Sequence, residues 1–318
     1  MSTTPLTSDR WPANDRNAPA LVKLVRGVSE RSEGRIVRLG ALGCLGLLFL
    51  IFWPTLCHFV YVWTSDENYS HGFLVPLISL YFVNQAAERG PMTVRSGARL
   101  GMVLLAMSIL GRLATVLVPV GFVGDLSFLL GLAGVTALIG GADVLRRFGF
   151  GISFLIFMVP LPNDLYARIA SPLQLLVSHI ASLVLNATNV PVLCEGNMMT
   201  LPGDVQMFVA EACSGMRQLT GFLALTTAVA YLSARPAWYR VTIVASSIPI
   251  AMTANVARVS LTGYIMYYLN PEYASGAYHT VEGLLMMALG LSLLRAECSV
   301  LDRLTASAEP APLAAARA

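Results

Sequence analysis

The sequence predicts an all-α polytopic membrane helix bundle, and three observations carry that prediction. Hydrophobic residues make up 56% of the 318, and charged residues 12%, about half the share usual in a soluble domain. The mean hydropathy is +0.66, far more apolar surface than a wetted exterior allows. Apolar runs of spanning length recur along the chain, and Lys and Arg cluster between them.

A helix needs about 20 apolar residues to cross the hydrocarbon. Candidate spans lie at 37–60, 71–87, 99–120, 124–143, 148–162, 214–233, 239–268 and 277–296. Residues 1–36 read as a basic cytoplasmic tail, expected to be disordered. The apolar run after it is too long for a signal peptide and lacks a clear cleavage site. Residues 297–318, Ala/Pro-rich at the end, read as a second cytoplasmic tail. The domain between the tails is 37–296.

Basic residues stay on the cytoplasmic side. Arg10, Arg16, Lys23, Arg26, Arg31, Arg35 and Arg38 precede the first span. Arg89, Arg95 and Arg99 follow the second, Arg146 and Arg147 the fourth, and Arg235 and Arg240 the sixth. Arg295, Arg303 and Arg317 close the chain. All of these lie inside if about eight transmembrane helices leave both termini in the cytoplasm. Arg112, Arg168, Arg217 and Arg258 are then intramembrane or at the outer interface, where a charge is costly and points to pairing or function.

That parity requires the apolar stretch 167–189 not to cross. Arg168, Ser171, Pro172, Gln174, Ser178 and His179 suit an interfacial or re-entrant helix. The rival is a ninth span, which puts Arg235 and Arg240 outside. The outer segment 190–212 alternates apolar residues with turns at Gly196-Asn197 and Pro202-Gly203. It reads as a short hairpin leading into the helix that bears Cys213.

The polar residues of the outer half are the candidates for chemistry. Cys213 opens the 214–233 span, where the helix dipole favours a thiolate. Arg217 follows one turn later and can pair with that thiolate or with Glu211. The alternative is a small residue permitting close packing in Cys213-Ser214-Gly215. Arg258, with Asn255 three residues before it, is placed to stabilise an oxyanion, or else to snorkel toward headgroups. His279 opens the last span with Glu282 one turn on. It can act as acid or base for a thiol, or it can be an interfacial histidine without a role. A Cys–His pair with a positive charge suggests acyl transfer at a peptide or ester carbonyl.

Between the first two spans, Asp66, Glu67 and His71 belong to a loop that contacts substrate or serves packing. Two acids and one histidine do not complete a metal site. The five cysteines have no CxxC spacing, which argues against a disulfide framework or zinc. Cys44, Cys57 and Cys298 read as small apolar residues. No metal and no cofactor are expected, and a net charge of +3 gives no reason to expect nucleic acid.

The ordered set Glu211-Ala-Cys-Ser-Gly-Met-Arg217, Asn255-Val-Ala-Arg258 and His279 resembles the exosortase/archaeosortase family. Tyr69-Ser-His-Gly-Phe-Leu-Val-Pro76 and Leu161-Pro-Asn163 resemble it too. The likeness covers most of 60–290. It implies a membrane-embedded cysteine protease or transpeptidase of the bacterial inner membrane, with its active site at the outer face. Its partners would be exported proteins with a C-terminal sorting tail, meaning a Pro-containing motif, a hydrophobic span and a basic cluster. Membrane lipid and an unknown acceptor nucleophile complete the set. By the same resemblance Cys213 is the nucleophile, Arg258 stabilises the transition state and His279 is the acid/base. Glu211, Ser214, Gly215, Arg217 and Asn255 match motif positions. Asn68, Tyr69, Ser70, His71 and Asn163 are candidates for substrate contact. Transport or scaffolding in polysaccharide export is the competing expectation, and it gives Cys213 no task.

Overall fold

The computed structural model describes residues 32–89, 97–117, 121–209, 216–269 and 277–308, with the side chains of 32–38, 277–280 and 306–308 outside the description. The tail 1–31 lies outside it. Contacts divide the chain into two units, Met1–Pro162 and Asn163–Ala318.

The first unit begins with α1 (Ser32–Ile51) and α2 (Trp53–Ser65). The predicted first span is thus two helices, bent by 62° at Phe52. Pro54 lies in the first turn of α2, where its missing N–H leaves the preceding turn without a donor. A 3-10 helix, Glu67–Phe73, leads into α3 (Leu74–Glu88), and α4 (Ala98–Leu117) follows. In α4 only Gly101 and Ser108 are buried, while Met102, Val103, Leu110, Val116 and Leu117 are exposed. Small or polar residues inward and large apolar ones outward is the arrangement lipid favours.

α5 (Gly121–Phe154) has one break, at Gly141 with φ 80°, a conformation only glycine adopts cheaply. Its 34 residues measure about 51 Å, well beyond a ~30 Å hydrocarbon core. Gly141 separates the parts that the sequence reads as spans 124–143 and 148–162, three residues ahead of the expected 144–147 link. The first part runs antiparallel on α4. Backbones approach closely there, because Gly101 faces Leu138 and Gly134 faces Leu105. The second part runs antiparallel on α3, with Val144 and Phe148 against Ala86 and the Ser79 hydroxyl donating to the Gly151 carbonyl at 2.7 Å.

The second unit opens with α6 (Asn163–Ala187), followed by a three-stranded antiparallel sheet in the order β1 (Leu193–Glu195), β2 (Met198–Leu201), β3 (Val205–Phe208). The expected hairpin is two hairpins, turning at the predicted glycines, Gly196 with φ 65° and Gly203 with φ 82°. Met199, Leu201 and Met207 point inward and join Val177, Ala181 and Leu185 of α6. Three helices complete the unit: α7 (Met216–Leu232), α8 (Ala237–Tyr268) and α9 (Ala277–Ala308). Phe222, Ile243, Ile250, Leu294 and Leu301 form their shared core. α9 continues as helix to Ala308, beyond the span predicted to end at 296. Glu297, Leu301, Arg303, Leu304, Ala306 and Ala308 are good helix formers, and the Thr305 hydroxyl bonds back to the Leu301 carbonyl.

Among the described residues, five helices are long and apolar enough to cross a membrane, or six if the bent pair counts as one span. α3 and α7, both predicted spans, have 15 and 17 residues. The chain is an all-α polytopic membrane bundle. α6, expected at the interface, also has the length and composition of a crossing helix. It buries Gln174, Ser178 and Ser182 and exposes Ile169, Leu175, Leu176 and Leu183. Val177, Ala181 and Leu185 are buried with those polar residues, and Arg168 and His179 are exposed beside the leucines, so each face carries both apolar and polar side chains.

Candidate active site

The polar centre of the second unit lies between α8 and α9. Asn255, Arg258 and Thr262 follow one another at helical spacing of three and four, so they share one face of α8. Asn255 is fully buried and Arg258 is 6% exposed. A snorkelling arginine would reach solvent or headgroups, and this one does not.

The opposing surface is α9, and three contacts fix the register of the two helices. Arg235, just before α8, pairs with Asp302 at 2.9 Å. The Ser246 hydroxyl donates to Glu297 at 2.6 Å. The Thr262 hydroxyl donates to Glu282 Oε2 at 3.1 Å. Rising numbers on one helix meet falling numbers on the other, so the pair is antiparallel. Glu282 is 4% exposed, and the Arg258 charge acts on its carboxylate. A carboxylate and a guanidinium are thus buried in one layer, with Thr262 holding the acid.

His279 lies in the first turn of α9, three residues before Glu282; its side chain is outside the described residues. The antiparallel register puts Thr262 and Glu282 between the His279 and Arg258 backbone positions. At 1.5 Å per residue those positions are about 10 Å apart along the helix axes. Among the described side chains, Glu282 accepts from Thr262 and feels the Arg258 guanidinium.

Glu211, Cys213, Ser214 and Gly215 lie outside the described residues. Both flanks of their segment are anchored, since Val209 and Met216 are each 2% exposed. The Val209 N–H donates to the Asn197 carbonyl at 2.9 Å, and Gln174 Nε2 donates to the Val209 carbonyl. Val209 also shares a core with Val259, the neighbour of Arg258. Arg217 is half-buried in the first turn of α7. Glycines let the helices close up: Gly263 of α8 faces Leu185, and Gly290 of α9 faces the Phe222 ring.

A family model described as transmembrane exosortase (Exosortase_EpsH) matches residues 63–296. The chain belongs to the transmembrane exosortase family. No curated protein and no solved structure matches it. Exosortases are a family of membrane proteases and transpeptidases, and the matched stretch of this exosortase includes every site residue named from the sequence.

In the first unit of this exosortase, Asn68 to His71 form part of the 3-10 helix. The Tyr69 hydroxyl accepts the Leu161 N–H at 3.0 Å. His71 Nε2 bonds the Phe157 carbonyl at 3.1 Å, and because a carbonyl only accepts, that nitrogen carries the proton. Trp63 Nε1 donates to the Met158 carbonyl at 3.0 Å. Three side chains thus satisfy the backbone of the Leu155–Met158 3-10 turn and the residues after it. Gly72 is required there, since a Cβ would fall 2.3 Å from Trp63 Nε1. Burial lowers the His71 pKa, against backbone hydrogen bonds to Phe157 and Asn68 that favour the charged ring. Ser70 and Asn163 are exposed. Among the described residues, no group of three or more His, Cys, Asp or Glu side chains is arranged to hold a metal ion.

Sequence reasoning missed Thr262, and read Gln174 only as one of the polar residues of an interfacial or re-entrant helix. Thr262 carried a signal, being one turn beyond Arg258 on the same face. Gln174 carried one as well, a polar residue in an apolar helix, but its partner is a backbone carbonyl that no pattern reveals.

Proposed function

We propose that this exosortase is a cysteine transpeptidase that cleaves the C-terminal sorting tails of exported proteins and passes them on through a thioester. The observation that supports this most directly is the burial of Arg258 beside Asn255, opposite Glu282. A cation held at a fixed place in low dielectric suits a developing oxyanion, because no solvent reorganisation is needed as the charge forms.

In this reading the Cys213 thiolate attacks the scissile carbonyl carbon, and the carbonyl electrons move to oxygen. The resulting tetrahedral oxyanion is held by Arg258. Collapse expels the amine of the sorting tail, to which His279 gives a proton, and leaves the acyl group on sulfur. An acceptor nucleophile then attacks the thioester, gives its proton to His279 and frees the thiolate. Water in that place yields hydrolysis. Glu282 and Thr262 hold the charge layer from α9 and α8.

The cellular setting follows the same reading. The chain lies in the bacterial inner membrane with both termini in the cytoplasm and the site at the outer face. Its work serves surface polysaccharide or biofilm matrix assembly. The test is tail cleavage of a co-expressed substrate. Cys213→Ser and His279→Ala should abolish it while the protein accumulates in the membrane at normal levels. Normal cleavage by the Cys213→Ser protein would favour a transport or scaffold role instead.

A further inference from the structure

The first unit contains a cavity of about 270 Å³ for which the peptidase reading has no use. It lies where the last turns of α4 meet the first turn of α5, with α2 on a third side. Thr55 and His58, Arg112 and Thr115, and Gly121 and Asp125 line it. Asp125 is 4% exposed. Among the described residues it makes no hydrogen bond and no direct ion pair, and the Arg112 charge acts on it through space. Arg112 donates one N–H, from Nη1 to the Thr115 hydroxyl at 3.2 Å, which leaves most of its donors for another group.

A guanidinium and a buried carboxyl group that share a cavity without touching each call for a partner, because an unpaired polar or charged group in low dielectric is costly. One occupant satisfies both if it carries an anion for Arg112 and a hydrogen-bonding cation for Asp125. The position selects further. The cavity sits at the ends of two apolar helices, the depth where headgroups meet hydrocarbon. Leu113, Val116 and Leu117 beside it are exposed, as for side chains that touch acyl chains. The N-terminal turn of α5 adds backbone N–H groups suited to a phosphate, and His58 is exposed at the rim.

We propose that this cavity binds a phosphate ester bearing a primary ammonium, that is, phosphoethanolamine chemistry. The phosphate lies at Arg112 and the α5 N-terminus, and the ammonium donates to Asp125. A trimethylated ammonium has no proton to donate, so phosphocholine fits the Arg112 side alone.

The full-length protein, offered equal amounts of phosphatidylethanolamine, phosphatidylcholine and phosphatidylglycerol, is examined by native mass spectrometry. Phosphatidylethanolamine should be retained at least tenfold over the other two. Asp125→Asn should erase its advantage over phosphatidylcholine, and Arg112→Gln should weaken retention of all three. Gly121→Phe should block the cavity in a folded protein, because a Cβ at Gly121 meets nothing within 4 Å. This variant gives the reading if Asp125→Asn does not fold. Displacement of the lipid by soluble phosphoethanolamine at millimolar concentration supports the proposal with the free zwitterion as ligand, and lack of displacement supports it with the lipid as ligand. Equal retention of phosphatidylethanolamine and phosphatidylcholine, or a preference that survives both Asp125→Asn and Gly121→Phe, would overturn the proposal. None of these readouts depends on peptidase activity.

Discussion

Thr262 of α8 donates its hydroxyl to the Glu282 carboxylate of α9 at 3.1 Å, and that bond sets a buried acid facing Arg258. If Glu282 holds the arginine in place, Glu282→Gln should keep a hydrogen-bond acceptor for Thr262 yet slow tail processing about tenfold, roughly 1.4 kcal/mol. Thr262→Val removes one hydrogen bond, worth about 1 kcal/mol, and should act more weakly, with Thr262→Ser restoring the rate. Processing at the wild-type rate by the Glu282→Gln protein would remove the acid from the account.

The arginine itself separates charge from geometry. Arg258→Lys keeps a cation opposite Glu282, so the protein should accumulate normally. It loses the planar fork that meets an oxyanion with two donors, and processing should fall about 10²- to 10³-fold. Arg258→Ala should also reduce the amount of folded protein, because it leaves Glu282 buried without that charge. Pulse-labelling in intact cells gives rate and abundance together.

His71 makes part of the first unit sensitive to acid. Its folded pKa lies below that of a free imidazole because burial disfavours the charged ring. The neutral ring therefore contributes stability that is fully present above the unfolded pKa, about 6.5. That contribution is lost as pH falls through the lower folded pKa, since the unfolded chain binds the proton first. Thermal unfolding followed between pH 7.5 and 5 should show a loss that His71→Gln, which keeps an N–H donor for the Phe157 carbonyl, reduces. An unchanged acid profile in that variant would place the sensitivity elsewhere.

Gly290 is the tightest approach in the three-helix core. A Cβ there would lie 2.1 Å from the Phe222 ring. Gly290→Ala should cost about 1–3 kcal/mol from overpacking, and Phe222→Leu in the same chain should recover part of it. Melting temperatures in one detergent check both, and additive losses would show that the two positions do not meet.

The bundle was readable because lipid imposes a period-free signal, long apolar runs bounded by Arg, and the described helices fall on those runs. The turns at Gly196 and Gly203 were readable because their backbone needs glycine. The break at Phe52 was not, although Pro54 marks it, since an apolar run looks alike whether straight or bent. α6 was hard to place for a physical reason: its polar residues can face water at an interface or a protein interior beneath lipid, and both give the same sequence. The site showed a similar limit. Arg258 stood out as a costly intramembrane charge and Glu282 only as a neighbour of His279, but their joint layer with Thr262 depends on the register of α8 against α9. That register is set by Arg235–Asp302 and Ser246–Glu297, far from the site.

The most direct test of the central claim is covalent. Membranes containing the protein are mixed with a substrate bearing a C-terminal sorting tail, quenched in acid, and digested for mass spectrometry of every cysteine-containing peptide. The account predicts an acyl adduct on Cys213 alone, released by hydroxylamine and absent from the Cys213→Ser protein, which also leaves the tail uncut. An adduct on Cys44, Cys57, Cys194 or Cys298, or normal tail cleavage by the Cys213→Ser protein, would contradict it.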